Sequence, residues 1–530
     1  MRRLLYNLLF ICLTYIPIHA RDTAKTSSID VVNLSGNTSY DIDHIQPRSE
    51  WEKIHYDIQT DIVTSTGKHA PFWIVSNRHG LSSLENHNAN LSAGLFRDFD
   101  NKKGFTWAYG AELVGAYNYS APFYIQQLYA DVKYNCWELS IGSKERWAEG
   151  KHRTLSGGGL TFAPNARPIP QVRFGINEYA TAPWLFNEWI QVKGHFSYGK
   201  YSDKSFQICP LTDAPDGTHY TYDILFHEKT AFLKLGNEAK GPFSVEIGLE
   251  MYTQFGGTFM IRRQEQGDSV RYELPHTHRE YLKALFPQQG GSDAPASDQK
   301  NVNGNVFGSW HLAANYQFKD WRIRLYYEHF YEDHSGLLGY HKIREGEVIS
   351  YFPWYDGLYV FEITLPKNRI INTVVYEFIT SRTQSGPIVK YGNDPIVGKD
   401  NYYNNSVYQS WRHWGMAMCN PHHLSPVYSD IATQNMLYTR IRSHYIGFNG
   451  SPTKQLDYRF LGSWTKHWGT YDDPLPAPLT QLSIMSELSY SPSQWKGWQF
   501  TGTFALDRSQ LIGNNIGLML TLRKQGFIKQ

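Results

Sequence analysis

Residues 244–256 read Ser-Val-Glu-Ile-Gly-Leu-Glu-Met-Tyr-Thr-Gln-Phe-Gly, and no other stretch restricts the fold as much. On a pleated strand Val245, Ile247, Leu249, Met251 and Phe255 fall on one face, with Glu246, Gly248, Glu250, Tyr252 and Gln254 on the other. The period is two, not the ~3.6 of a helix. About 11 residues at ~3.3 Å each, tilted near ~45°, cross the apolar thickness of an outer membrane. A strand that is oily on one side and charged on the other suits a wall between lipid and a lumen. The pattern recurs to the last residues, so the chain reads as all-β, a transmembrane antiparallel β-barrel.

Alternation starts with Ile54, Tyr56, Ile58 and Ile62 against His55, Asp57, Gln59 and Asp61. Further strands are predicted near 88–98, 106–119, 124–134, 137–143, 171–178, 188–199, 222–236 and 244–256, then 308–319, 321–332, 357–366, 370–381, 435–449, 456–466, 480–491, 496–507 and 514–524. The count is about 18, even as bacterial single-chain barrels require. Links after even-numbered strands are short, whereas 144–170, 200–221, 257–307, 333–356, 382–434 and 467–479 follow odd-numbered ones. Short periplasmic turns and long outer loops are the rule for such barrels, and this parity puts both termini in the periplasm. Links 257–307 and 382–434 are the largest. In the first, Tyr281, Leu282, Leu285 and Phe286 recur at helical spacing.

A mean hydropathy of −0.48 and the lack of a long apolar run after the N-terminus exclude helical spans. Aromatic residues at 15% fit girdles at two membrane interfaces. Residues 1–20, with Arg2 and Arg3 before an apolar run and Ala20 at a cleavage point, read as a signal peptide; 21–50 read as a flexible periplasmic leader and 51–530 as one outer-membrane barrel. Of the cysteines beyond the leader, Cys136, Cys209 and Cys419, the last two fall in outer loops and could bridge. A net charge of +2 gives no reason to expect nucleic acid as a partner.

Period two places Arg322, Arg324 and Glu328 in the lumen, and the same reasoning assigns Arg440, Arg442 and His444 to this charge ladder, because Arg at the lipid midplane costs about 2–4 kcal/mol. The ladder is either an ion-pair network that stiffens the barrel or a selectivity surface for anionic solutes. In the loops, Tyr402, Tyr403, Asn404, Asn405, Tyr408, Trp411, Arg412, His413 and Trp414 combine flat rings with amides and cations, as a sugar surface would, or as a loop packed on itself to close the pore would. No ligand spacing supports a metal, no cofactor motif is present, and no nucleophile elbow, His-Glu-x-x-His or phosphate loop supports catalysis.

From about Tyr56 to Arg523 the chain resembles the Wzi-type outer-membrane capsule assembly proteins, in their Bacteroidetes version. The resemblance rests on the order of Ala70-Pro71-Phe72-Trp73, Gln126-Gln127-Leu128-Tyr129, Gly157 to Pro170, His227-Glu228-Lys229, Glu332-Asp333-His334-Ser335-Gly336, Asp356-Gly357-Leu358 and the Tyr402–Asn405 run with Trp411. It implies an 18-stranded barrel acting as a surface lectin that tethers capsular polysaccharide. In the enterobacterial members a helical bundle plugs the periplasmic mouth, and residues 21–50 show no amphipathic helix; the Ala70–Gly80 stretch is expected to fold inward instead. No catalytic residue carries over. Polysaccharide contacts, inferred from position and side-chain chemistry, are Arg167, Asn404, Asn405, Trp411 and Trp414, then Glu332 and Asp333.

The expected function is a non-enzymatic outer-membrane lectin that assembles or anchors a capsule. Its partners would be capsular or surface polysaccharide, outer-membrane lipid and capsule export machinery, with the barrel itself a monomer. A porin or transporter for anionic saccharides is the alternative, and an outer-membrane hydrolase a second.

Overall fold

Two neighbours on each strand of the main sheet and no free edge in it define the chain's architecture. The computed structural model describes residues 53–528 apart from 101–103, 182–187, 209–216, 263–269, 287–303, 333–340, 345–346, 350–354, 367, 392–393, 400 and 430–433. Its main sheet has 18 strands. The first nine are β1 (Ile54–Thr66), β2 (His87–Arg97), β3 (Phe105–Tyr117), β4 (Phe123–Tyr134), β5 (Trp137–Ser143), β6 (Gln171–Thr181), β7 (Ile190–Lys200), β8 (Leu225–Leu235) and β9 (Phe243–Phe255). The rest are β10 (Asn305–Phe318), β11 (Trp321–Glu332), β12 (Gly357–Thr364), β13 (Thr373–Thr380), β14 (Ile441–Gly450), β15 (Leu456–Gly469), β16 (Pro474–Tyr490), β17 (Trp498–Ser509) and β18 (Asn515–Phe527). All pairings are antiparallel, and β1 pairs with both β2 and β18, so the sheet closes on itself. Arg523 on β18 clamps Asp57 on β1 across that seam with Nε 2.9 Å from Oδ1.

β9 shows why the wall forms. Glu246, Gly248, Glu250, Tyr252 and Gln254 are buried toward the lumen, while Ile247 is exposed on the outer face. Around the barrel Leu91, Leu113, Leu312, Leu325 and Leu520 are exposed in the same way, which gives the apolar belt that lipid must cover. At the short-turn end Phe105, Tyr134, Phe318, Trp321, Tyr490 and Trp495 are exposed and form an aromatic girdle.

Every predicted strand window holds a wall strand, with shifted ends. β14 starts at Ile441 rather than near 435, because Asn404 takes both backbone groups of Met436, at 2.9 Å each, away from the ladder. β16 starts at Pro474, six residues earlier than expected, pairing with Gly469 across a four-residue link, 470–473, instead of a long loop. The helical spacing in 257–307 is realised as a helix, His278–Leu285, whose Tyr281 lies 5.1 Å from Phe255 between ring centroids.

The lumen ladder needs correction. Arg322 and Arg324 point inward as expected, with Arg324 on Glu246 at 2.9 Å and on Asn315 at 2.8 Å. Arg442 and His444 face outward, because Ile441, Ser443 and Tyr445 take the buried inner positions of β14. Tyr445 fixes that register by donating its hydroxyl to the Leu155 carbonyl inside the barrel, at 2.5 Å. His444 instead meets the Tyr376 hydroxyl at 2.8 Å and lies against Phe378 and Trp464 on the outer wall, and Arg442 stands at the outer rim, where a long cationic side chain reaches water. Arg440 precedes β14 and donates to the Arg382 carbonyl at 3.1 Å, outside any ladder.

Candidate binding site at the outer mouth

Three outer loops fold back into the lumen and interlock. From the β1–β2 loop a short helix, Phe72–Val75, is wholly buried, and the Phe72 N–H donates to Asp507 on β17 at 2.9 Å. From the β5–β6 loop, the glycine-rich run is held by wall carboxylates. Ser156 Oγ and the Gly157 N–H donate to Glu377 at 2.5 and 3.0 Å, the Leu160 N–H to Glu328 at 2.7 Å, and Thr161 Oγ1 to Glu250 at 2.7 Å. Each of these carboxylates is an inward position of a strand whose outward positions are mostly apolar, so one period-two pattern makes both the lipid face and the plug's anchors. Gly158 has φ +97° and its Cβ would stand 2.5 Å from that of Ala163, which explains a glycine there.

The β13–β14 loop supplies the third layer. Trp411 is fully buried, donates Nε1–H to the Thr161 carbonyl at 2.7 Å and packs its ring 4.6 Å from Phe307. Tyr403 donates its hydroxyl to the Leu160 carbonyl and its N–H to Glu332. Asn404 brackets Met436, and Asn405 Oδ1 accepts from the Val407 N–H at 2.8 Å. Trp411, Asn404, Asn405 and Glu332, predicted as ligand contacts, are therefore parts of the plug, and Asp333 lies outside the described residues. Cys419 is a buried thiol whose pKa burial pushes up; Cys209 also lies outside the described residues. The Gln126-Gln127 pair has its own account. A β-bulge in β4 turns both side chains inward, where Gln126 donates to Glu145 at 2.7 Å and to the His79 carbonyl at 2.9 Å.

Two predicted residues meet at the outer end of this plug. Arg412–His413 pairs with Met416–Ala417, and between them Trp414 (φ +53°) and Gly415 (φ +77°) make a two-residue turn with both φ positive, the geometry of type I′. This sets Trp414 at a hairpin tip. The Trp414 N–H donates to Asp203 at 3.2 Å, and its ring faces Phe206 at 6.2 Å. Arg167 lies between two aromatic faces, its guanidinium 3.5 Å from the Tyr124 centroid and 4.4 Å from that of Trp414. Burial lowers the Arg167 pKa from its ordinary value, yet the group stays cationic. Ser202 and Lys204, both exposed, and the half-buried Trp414 and Phe206 border the same place, with Lys204 on Asp223 at 3.2 Å.

The residues missed from sequence, Tyr124, Ser202, Asp203, Lys204 and Phe206, lie on β4 and on the loop after β7. Gly415 was the available signal, since the second central position of such a two-residue hairpin favours Gly, whereas Trp414 at the first is a residue that rarely adopts positive φ. Elsewhere, Glu250, His311 and Glu328 bring ligand atoms within 4.8 Å of one another. There the Lys151 ammonium, 2.5 Å from Glu328 and 3.7 Å from the Tyr326 centroid, already supplies the positive charge that a cation would bring.

No protein-family model matches the chain, and no curated relative matches it either. Among solved structures it is similar to Wzi of Escherichia coli, described as an outer-membrane, carbohydrate-binding β-barrel involved in group 1 capsule assembly, at 11% identity, TM-score 0.53, over 89% of this chain and 85% of that one. It also matches OccAB2 of Acinetobacter baumannii, at 8% identity, TM-score 0.44, over 91% of this chain and 100% of that one. OccD3 of Pseudomonas aeruginosa matches at 10% identity, TM-score 0.43, over 91% and 93%. At these identities the likeness to Wzi is one of fold, and the chain has the fold of an outer-membrane β-barrel.

Proposed function

We propose that this protein is a non-enzymatic outer-membrane lectin of Wzi type, whose outer mouth binds capsular or surface polysaccharide and so helps anchor a capsule. The observation that carries the reading is the pairing of a lumen filled by three interlocked loops with a ring-and-cation cluster at its outer end. A sugar ring stacks on Trp414, and Arg167, which is in no ion pair with a carboxylate among the described residues, favours an acidic polymer. The plug also weighs against the porin alternative, since Arg324 is engaged with Glu246 rather than offered to a passing solute.

The test is binding of capsular polysaccharide from the protein's own strain to the detergent-solubilised barrel, at low and high salt. Trp414→Ala should weaken binding about tenfold, the value of one ring contact of ~1.5 kcal/mol. High salt should weaken wild-type binding if the polymer is acidic. Unchanged affinity in Trp414→Ala would refute this site. Absence of binding together with ion conductance of the wild type in a planar bilayer would favour the porin.

A further inference from the structure

The outer wall has a depression that its own side chains leave unfilled. β17 sets Gly502 on its lipid side between Phe500 and Phe504, and nothing lies within 4 Å of where a Cβ would stand. Its register neighbours on β16 and β18 are Leu488 and Leu520, and together with Phe460 they enclose an apolar hollow of about 460 Å³. Four residues nearer the periplasm along both strands, ~13 Å at strand rise, stand Trp498 and Lys524, which are also register partners. With Trp495 and Lys496 they border a second hollow of about 410 Å³. The Lys524 ammonium lies 5.4 Å from the Trp498 ring and donates to the Lys496 backbone carbonyl at 2.5 Å, and both lysines line this second hollow. Neither lysine is paired with a carboxylate among the described residues.

The order of these features along the membrane normal is that of a lipid: charge and indoles at interface depth, then an apolar slot at core depth. We infer that the wall from β15 to β18 binds one anionic phospholipid of the periplasmic leaflet, its phosphate between Lys496 and Lys524 and one acyl chain in the hollow at Gly502. A second copy of the barrel fits less well, because its own girdle at that depth would bring aromatic rings and leave both ammonium groups without a counter-charge. The inference is independent of what the outer mouth binds.

Native mass spectrometry of the whole barrel, released from a neutral detergent after addition of dioleoyl phosphatidylglycerol or dioleoyl phosphatidylcholine, tests this. Wild type should keep one phosphatidylglycerol under conditions that strip phosphatidylcholine. Lys496→Gln/Lys524→Gln should lower retention about thirtyfold, as expected for two lysines beside an anionic headgroup. Gly502→Leu fills the slot from an open position with no backbone strain and should lower phosphatidylglycerol retention while the barrel stays folded by circular dichroism. Equal retention of the two lipids, or retention unaffected by both variants, would identify ordinary annular lipid and overturn the inference. Displacement of the lipid by millimolar inorganic phosphate, with Gly502→Leu behaving as wild type, would reduce the site to an ion site and overturn it as well.

Discussion

Replacing Trp411 by alanine should loosen the plug without removing any side chain of the proposed sugar site. The indole is fully buried among Phe226, Tyr252 and Phe307, and it makes the hydrogen bond that ties the third loop to the second. Truncating a core Trp to Ala costs about 3–5 kcal/mol, and the orphaned Thr161 carbonyl places the cost toward the upper end. If that energy falls on plug closure, the open fraction rises by ~150-fold to ~4,000-fold. Cys419 reports it from within the same loop. Its thiol is buried, and burial holds its pKa up, so a thiol reagent reaches it only through opening. Peptide-resolved maleimide labelling should therefore show Cys419 reacting at least ~100-fold faster in Trp411→Ala, with half-buried Cys136 in the β4–β5 turn as an unchanged control. Equal Cys419 rates in mutant and wild type would mean that Trp411 does not hold the plug, and the packing argument would fail.

Two further outcomes follow from charge. Glu328→Gln leaves the Lys151 ammonium buried without its partner and should destabilise the folded barrel by about 3–5 kcal/mol in urea refolding, whereas Lys151→Met/Glu328→Gln should recover most of the loss. No difference between single and double variants would contradict the pairing. Burial depresses the pKa of His422 and His423, both in the plug, to about 3. The open state binds more protons than the closed one, so closure is at full strength above the free imidazole value of ~6.5 and declines as pH falls toward about 3, by roughly 2 kcal/mol per histidine at about pH 5. Channel openings in a planar bilayer should become more frequent between about pH 6 and about pH 4, and flat gating over that range would exclude these two groups as the cause.

The wall was legible because one physical pattern, apolar against polar at period two, decides both strand existence and facing. It failed at β14, where Arg442 and His444 alternate with residues of mixed character and inner contacts, among them Tyr445 to the Leu155 carbonyl and Ser443 to Thr465, hold the face. The site was less legible. Trp411 and Trp414 lie three residues apart in the same aromatic run, yet one is core and the other a hairpin tip, and only the partners contributed by loops more than 200 residues away separate them. Side-chain type predicts what a loop residue can do, whereas its neighbours determine whether it is free to do it. Tyr124, Ser202 and Lys204 carry no local signal because each acquires its place only when the loops meet.

The plug's anchors also set an order of assembly. The Phe72 N–H finds its acceptor at Asp507, 435 residues later, and Trp411 is tied to Thr161 across 250. The first inner segment cannot seat until nearly the last strand has been delivered, and none of the three loops completes its bonding alone. Until then the inner segment and the aromatic rings packed around it lack their final partners. Contacts of such sequence separation form slowly. Completion of the interior is thereby coupled to the arrival of the C-terminal strands.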